Sequence, residues 1–213
     1  MILEGRVRDV VDSGESVVET SAGIVLVRGG LPGEAVRVRS ETQRQGVRRG
    51  SLLAVLTPSA ARIEPTCTLA DRCGGCPLMR LELAAQRALK RERVQRAVGD
   101  GCRATLEEIG PGLGYRRRAR LAFRRLSQRS LFGYRQSAGH ELVDVEVCPV
   151  LEPSLNAALA LLRTQLGPSL EGSGEIELAA SESGSVTAHI VCDKPVGPGL
   201  YAAAEALAAH SPF

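Results

Sequence analysis

The sequence predicts an α+β chain: a small five-stranded, OB-like β-barrel at residues 1–57, followed by an α+β domain with antiparallel strands at residues 58–213. Short alternating apolar segments separated by Gly and Pro fill the first part, which is typical of a small barrel. Helical periodicity appears only after a Pro-bounded linker at residues 58–65. Two alternating segments around Glu182-Ser183-Gly184 then predict a β-hairpin.

The predicted barrel strands are short and end at polar or Gly-rich turns. They cover residues 2–11, 15–20, 23–28, 34–40 and 47–57. In the fourth strand, Val36 and Val38 alternate with Arg37 and Arg39, so the valines should face the core and the arginines should face solvent or a ligand. Small barrels often bind nucleic acid on an exposed strand face, although many are only structural.

The second domain should contain three helices and two pairs of strands. We expect a helix with a basic outer face at residues 81–98, strands at 115–126 and 142–147, a core-facing helix with Ser154 as its N-cap, hairpin strands at 175–181 and 185–192, and an Ala-rich helix at 200–209. Leu155, Ala158, Leu159, Leu162 and Leu166 form the apolar side of the core-facing helix.

Composition and charge restrict the location and the partners. The chain of 213 residues has no apolar stretch long enough to span a membrane, and no apolar run near Met1 that would serve as a signal peptide. We therefore expect a cytoplasmic protein without a membrane partner. The net charge of +3 is unevenly distributed, with +10 in residues 61–136 and −8 in residues 137–213. A basic middle segment indicates a polyanionic partner, although a solvated arginine-rich surface would have the same composition.

The cysteine spacing is the strongest signal. Cys67, Cys73 and Cys76 form Cys-x5-Cys-Gly-Gly-Cys, and Cys148 follows in a Cys-Pro pair. Three thiolates in one loop can occupy three corners of a [4Fe-4S] cluster while a distant cysteine supplies the fourth, and the two glycines leave amides free to bond cluster sulfur. Zinc and unligated cysteines are the alternatives. Zinc sites usually combine two close ligand pairs, and the sequence has no second Cys-x2-Cys or His pair.

An arginine-rich segment follows at residues 115–124. With strand periodicity, Tyr115, Ala119, Leu121 and Phe123 share the apolar face, and the opposite face carries the candidate RNA-binding residues Arg116, Arg118, Arg120 and Arg124. Closely spaced guanidiniums need an anion beside them, and phosphates match their forked donors. Pairing with acidic residues of the C-terminal third, such as those at 141, 144 and 146, is the alternative. Because aromatic residues are few, contacts should be mainly to phosphate.

Together these motifs resemble the N-terminal half of the RNA (uracil-5-)-methyltransferases, particularly the iron-sulfur type that acts on 23S ribosomal RNA. Residues 1–57, with Gly30-Leu31-Pro32-Gly33-Glu34, are similar to the TRAM domain, the RNA-binding barrel of that family. The four cysteines fall on its [4Fe-4S] ligand pattern. Residues 114–121, 142–145 and 148–151 are similar to its central domain.

The resemblance implies that the partner is RNA, specifically ribosomal RNA, and not DNA. It also implies S-adenosylmethionine (SAM) as the cofactor of the full-length architecture. In the family, a C-terminal domain binds SAM and carries a nucleophilic Cys and a general-base Glu. No residue here matches that motif, so we assign no catalytic residue and expect no methyl transfer without such a domain, which could be a separate partner. The alternative is a freestanding TRAM RNA-binding protein with a structural metal centre.

Overall fold

In the computed structural model, which describes residues 1–44, 46–99, 107, 110–137, 139–209 and 213, the chain forms two compact units. The first contains Met1–Asp71 and Cys76–Glu108, and the second contains Arg72–Gly75 and Ile109–Phe213. The predicted division into domains 1–57 and 58–213 stays a prediction, because the units are groups of contacts and not continuous segments.

The first unit is built on a closed five-stranded barrel. Its strands are β1 (Ile2–Val10), β2 (Glu15–Thr20), β3 (Gly23–Arg28), β4 (Ala35–Arg44) and β5 (Val47–Thr57). They follow the order β1-β2-β3-β5-β4, β4 pairs back to β1, and β3 pairs with β5 in parallel. Alternation places six valines in the core: Val7, Val18, Val25, Val27, Val36 and Val38. The predicted fold class is confirmed.

Helix α1 (Leu83–Val98) completes the first unit, close to its predicted range. None of its described residues is buried, so the expected apolar side of the helix packs only loosely against the rest of the unit. Its basic surface is also partly neutralised, because Arg96 Nη1 lies 3.2 Å from Asp9 Oδ2 and Arg93 Nη1 lies 3.8 Å from Asp12 Oδ1, both on the barrel. Periodicity alone did not predict these ion pairs.

The second unit contains an antiparallel sheet of order β10-β9-β6-β7-β8. Its strands are β6 (Arg118–Arg125), β7 (Ser130–Arg135), β8 (Leu142–Asp144), β9 (Ser173–Ala180) and β10 (Val186–Cys192). The hairpin of β9 and β10 is confirmed, whereas β7 was not predicted. Gly133 lies inside β7, where an added Cβ would come within 1.9 Å of the Val143 carbonyl oxygen, so the close approach of β8 requires glycine.

Two helices accompany this sheet, α2 (Pro153–Leu161) and α3 (Pro198–Ala208). A π-helical turn at Leu162–Leu166 prolongs α2, and its predicted apolar side is fully buried. Ser154 is not the N-cap: Glu152 holds that position and the helix begins at Pro153, two residues earlier than predicted, because proline suits the first helical position. Ser154 Oγ instead donates to Glu152 Oε1 at 2.6 Å. Among the described residues, no helix is both long and apolar enough to cross a bilayer.

Candidate functional site

The arginine strand β6 has the two faces that its sequence predicts. Ala119, Leu121 and Phe123 are at most 6% exposed and lie on the core side. The opposite side carries three exposed arginines: Arg118, Arg120 and Arg124. Regular strand alternation therefore projects a row of guanidiniums from one face of the sheet.

Residues just before β6 depart from the prediction. Tyr115 is 49% exposed and does not join the apolar face. The main chain here follows the 148–151 turn, since the Gly114 amide donates to the Pro149 carbonyl at 2.9 Å and the Arg116 amide donates to that of Val150 at 2.8 Å. The strand pairing with β9 begins only at Arg118. Arg116 is exposed but precedes the strand.

Arg120 has acidic partners on the neighbouring strand β9. Its Nε donates to Glu175 Oε2 at 2.8 Å and lies 3.5 Å from Glu177 Oε1. The hydrogen bond to Glu175 and the charge of that carboxylate raise the pKa of the Arg120 guanidinium above its ordinary value. Acidic pairing was the alternative considered from sequence, although these partners lie outside the 141–146 segment named there. Arg120 as an RNA contact stays a prediction.

Arg116, Arg118 and Arg124 differ from Arg120. Within the part of the chain that the structure describes, none of these three guanidiniums has an ion-pair partner. Arg117, in contrast, lies 3.7 Å from Glu152. Exposed guanidiniums without carboxylate partners are suited to bind phosphate.

On the barrel, Arg37 and Arg39 project from β4 to the outside, while Val36 and Val38 are buried as predicted. Arg37 Nη2 lies 2.7 Å from Glu4 Oε1 on the paired strand β1. Arg39 makes no ion pair with any described residue. The barrel surface therefore offers Arg39 more readily than Arg37 to an anion.

The cysteine loop is divided between the two units. Cys67 and Cys76 belong to the first, where Ala70 N–H donates to the Cys67 carbonyl at 3.1 Å and Met79 N–H donates to the Cys76 carbonyl at 3.2 Å. Cys73 belongs to the second, where it forms a β-bridge with Gln136. Gly74 N–H donates to the Arg135 carbonyl at 3.2 Å, and an added Cβ on Gly74 would lie equally close to that oxygen.

Cys148, also in the second unit, is held through its main chain. The Cys148 amide donates to Asn156 Oδ1 at 2.9 Å, and Asn156 Nδ2 donates to the carbonyls of Cys148 at 3.1 Å and Leu151 at 3.3 Å. Asn156 lies on α2, so the helix fixes the turn that carries Cys148. The sequence offered no signal for this residue, because it lies inside an otherwise apolar helix.

Replacing Asn156 by Ala should loosen the Cys148 turn. Three hydrogen bonds are lost, and at about 0.5–1.5 kcal/mol each the local stability should fall by about 2 kcal/mol. Hydrogen exchange at the Cys148 amide is the direct measurement, and we expect it to accelerate. Ser154→Ala is the matched control on the same helix, since the Ser154 hydroxyl donates to Glu152 and not to the Cys148 turn. Equal acceleration in both variants would contradict the role of Asn156.

Among the residues that the structure describes, no three His, Cys, Asp or Glu side chains form a group that could hold a metal ion. The thiol donors and the two glycines agree with a cluster chemically, but the ligand set stays a prediction from the spacing.

No protein-family model matches the chain. It is 38% identical over 179 residues to the 23S rRNA (uracil(1939)-C(5))-methyltransferase RlmD of Pectobacterium atrosepticum, a match covering 80% of this chain and 40% of that protein. The protein of the same name from Halomonas elongata is 39% identical, covering 76% of this chain and 35% of its own length. The chain is a homologue of the RNA uracil-C5-methyltransferases.

A solved structure extends this relationship to the fold. The Pyrococcus abyssi tRNA (uracil-54, C5)-methyltransferase, determined in complex with S-adenosyl-L-homocysteine, matches with a TM-score of 0.69 and 21% identity, over 93% of this chain and 48% of that one. At this level of identity the match shows that the two chains share a fold. The chain spans about two fifths of the length of the curated relatives it matches.

Proposed function

We propose that this chain is the RNA-binding and [4Fe-4S]-binding part of an RNA uracil-5-methyltransferase. Such an enzyme forms 5-methyluridine in 23S ribosomal RNA with SAM as methyl donor. The observation that carries the proposal is the 38% identity to a relative named as a 23S rRNA uracil-C5-methyltransferase. A ribosomal substrate implies action in the cytoplasm, with RNA and not DNA or a membrane as partner.

RNA binding is assigned to two surfaces. The barrel, which we interpret as a TRAM domain, contributes Arg39. It also contributes Arg37 once a phosphate replaces Glu4 as the partner of Arg37. The sheet contributes Arg116, Arg118 and Arg124, with Arg120 dependent on its acidic neighbours. Arginine forks match phosphate oxygens, and such contacts position an RNA without reading its sequence.

The proposed cluster is held by Cys67, Cys73, Cys76 and Cys148. Donor chemistry supports this set, since thiolates are the usual ligands of [4Fe-4S] clusters. When bound, the cluster supplies a cross-link between chain segments. Because main-chain hydrogen bonds join the Cys148 turn to Gly114 and Arg116, ligation of Cys148 would stabilise the start of the arginine strand.

Methyl transfer itself requires groups that we do not assign to this chain. A SAM-binding catalytic domain, as in the family architecture, would supply the nucleophile and the base. We therefore expect these 213 residues alone to bind RNA and to leave it unmethylated.

The test is binding to a short fluorescein-labelled single-stranded RNA, measured by anisotropy over a range of salt. Each phosphate contact should contribute about −0.7 to the slope of log affinity against log salt, so Arg118→Ala should reduce the magnitude of the slope by about that amount. Arg117→Ala is the matched neighbour, with the same charge change but a guanidinium near Glu152. Salt-insensitive binding, or no binding, would refute the RNA-binding proposal.

A further inference from the structure

We propose that a depression on the exposed face of the second-unit sheet binds one phosphate group of the RNA, held jointly by Arg124 and Arg135. The inference rests on the proposed RNA-binding function and adds to it a defined subsite and a residue, Arg135, that the sequence did not indicate. No sequence pattern singled out Arg135, because its strand, β7, was not predicted.

The depression has a volume of about 150 Å³ and crosses the sheet from β9 over β6 to the residues that follow β7. Ala122 and Leu142 contribute apolar surface, while Arg124, Arg135, His140 and Glu175 provide its polar wall. The short side chain of Ala122, between longer neighbours on β6, leaves the space open. This volume suits a single small anionic group rather than an extended ligand.

The charge balance of the depression favours an anion. Arg124 and Arg135 are both exposed, and neither makes an ion pair with a described residue. Glu175 is the acidic group of the wall, and it already accepts hydrogen bonds from the Arg120 guanidinium. Its charge is thereby balanced, so the two arginines dominate the local potential.

The main chain at Arg135 is held from two sides. The Arg135 carbonyl accepts from Gly74 N–H at 3.2 Å, and the next amide, that of Gln136, donates to the Glu141 carbonyl at 2.8 Å. Arg124 is fixed within β6, opposite Leu131 of β7 and Ser173 of β9. Because the main chain is already held at both positions, binding of one phosphate has to order only the two arginine side chains.

The lining argues for phosphate and against a stacked base. Two lining residues carry a ring, but Phe123 is only 1% exposed and packs in the core against Phe132, which leaves the single imidazole of His140 beside the two guanidiniums. A base in single-stranded RNA gains its binding energy mainly by stacking on exposed aromatic rings. Guanidinium forks, in contrast, are matched to phosphate oxygens.

A double-mutant cycle tests the shared phosphate. We expect Arg124→Ala and Arg135→Ala each to weaken binding of a short single-stranded RNA about tenfold, and the double variant to lose about tenfold rather than the product of the two, because neighbours that serve one ligand are not additive. The double variant should lower the magnitude of the salt slope by about 0.7, the value for one contact.

Arg129→Ala is the control with equal charge loss in the same unit, since Arg129 is not among the lining residues. Glu175→Gln removes the acidic group of the wall and should tighten RNA binding a few-fold. Arg120→Ala leaves the Glu175 carboxylate without its cation and should weaken RNA binding. Independent, multiplicative losses, or losses no larger than that of Arg129→Ala, would overturn this subsite while leaving RNA binding intact. Absence of RNA binding by the unaltered protein would instead refute the proposed function.

Discussion

Replacing Arg62 by Met should lower the free energy of unfolding of the barrel unit by about 3–5 kcal/mol, because it leaves a buried carboxylate without its cation. The side chain of Glu34 is 0% exposed. Arg62 Nε lies 2.6 Å from Glu34 Oε1, and Arg62 Nη2 lies 2.7 Å from Glu34 Oε2 and 2.6 Å from the Gly29 carbonyl. Native-state hydrogen exchange of the barrel strands measures the loss.

Arg37→Met is the matched control for this change. The Arg37–Glu4 pair also joins an arginine to a glutamate, but its side chains are 46% and 59% exposed. Solvent screens such a pair, so its loss should cost about 0–1 kcal/mol. The double variant Arg62→Met/Glu34→Gln should recover part of the stability, since it no longer buries a bare charge. Equal effects of Arg62→Met and Arg37→Met would contradict the role given to burial.

The same pair predicts how barrel stability depends on pH. Burial alone raises the pKa of the Glu34 carboxyl, but hydrogen bonds from Arg62, Ser59 and Leu31 outweigh it, and the net pKa lies below the ordinary value of 4.5. The contribution is therefore complete above pH 4.5 and is lost as the pH falls through the lowered pKa of the folded state. In Arg62→Met, where burial is no longer opposed by the guanidinium, this acid-induced loss should shrink.

The barrel could be predicted from the sequence because its information is local. Alternation of valines with polar residues defines each strand, and glycines such as Gly33, whose φ is 87°, form the turns between strands. The Glu34–Arg62 pair could not be predicted in this way. Its partners are 28 residues apart, and nothing in either segment shows that they meet.

The arginine strand shows the same division between local and distant information. Period-two alternation correctly separated Arg118, Arg120 and Arg124 from the buried face of β6. The partners of Arg120 depend on the register between β6 and β9, which places Arg120 opposite Glu177, 57 residues further along the chain. Strand β7 was missed because its central Gly133 has low strand propensity, and only the close approach of β8 explains it.

Single Cys→Ser variants at positions 67, 73, 76 and 148 should each abolish most of the brown colour that we expect of the anaerobically purified protein. In the proposed set each cysteine binds one iron of the cluster, and serine is a poor substitute for a thiolate toward this soft centre. Visible absorption together with iron and sulfide analysis measures the loss. The effect is close to all-or-none, unlike the graded losses expected for single arginines.

Cys192→Ser is the control that separates ligation from general sensitivity to thiol removal. Cys192 is a half-buried free thiol at the end of β10, and burial together with Asp193 raises its pKa, which disfavours the thiolate needed for ligation. We expect its variant to keep the colour. A colourless wild-type protein that contains zinc would refute the cluster, and retention of colour in Cys148→Ser alone would refute Cys148 as the fourth ligand. Because the Cys148 turn is bonded to Gly114 and Arg116, loss of its ligation should also weaken RNA binding, whereas Cys192→Ser should not.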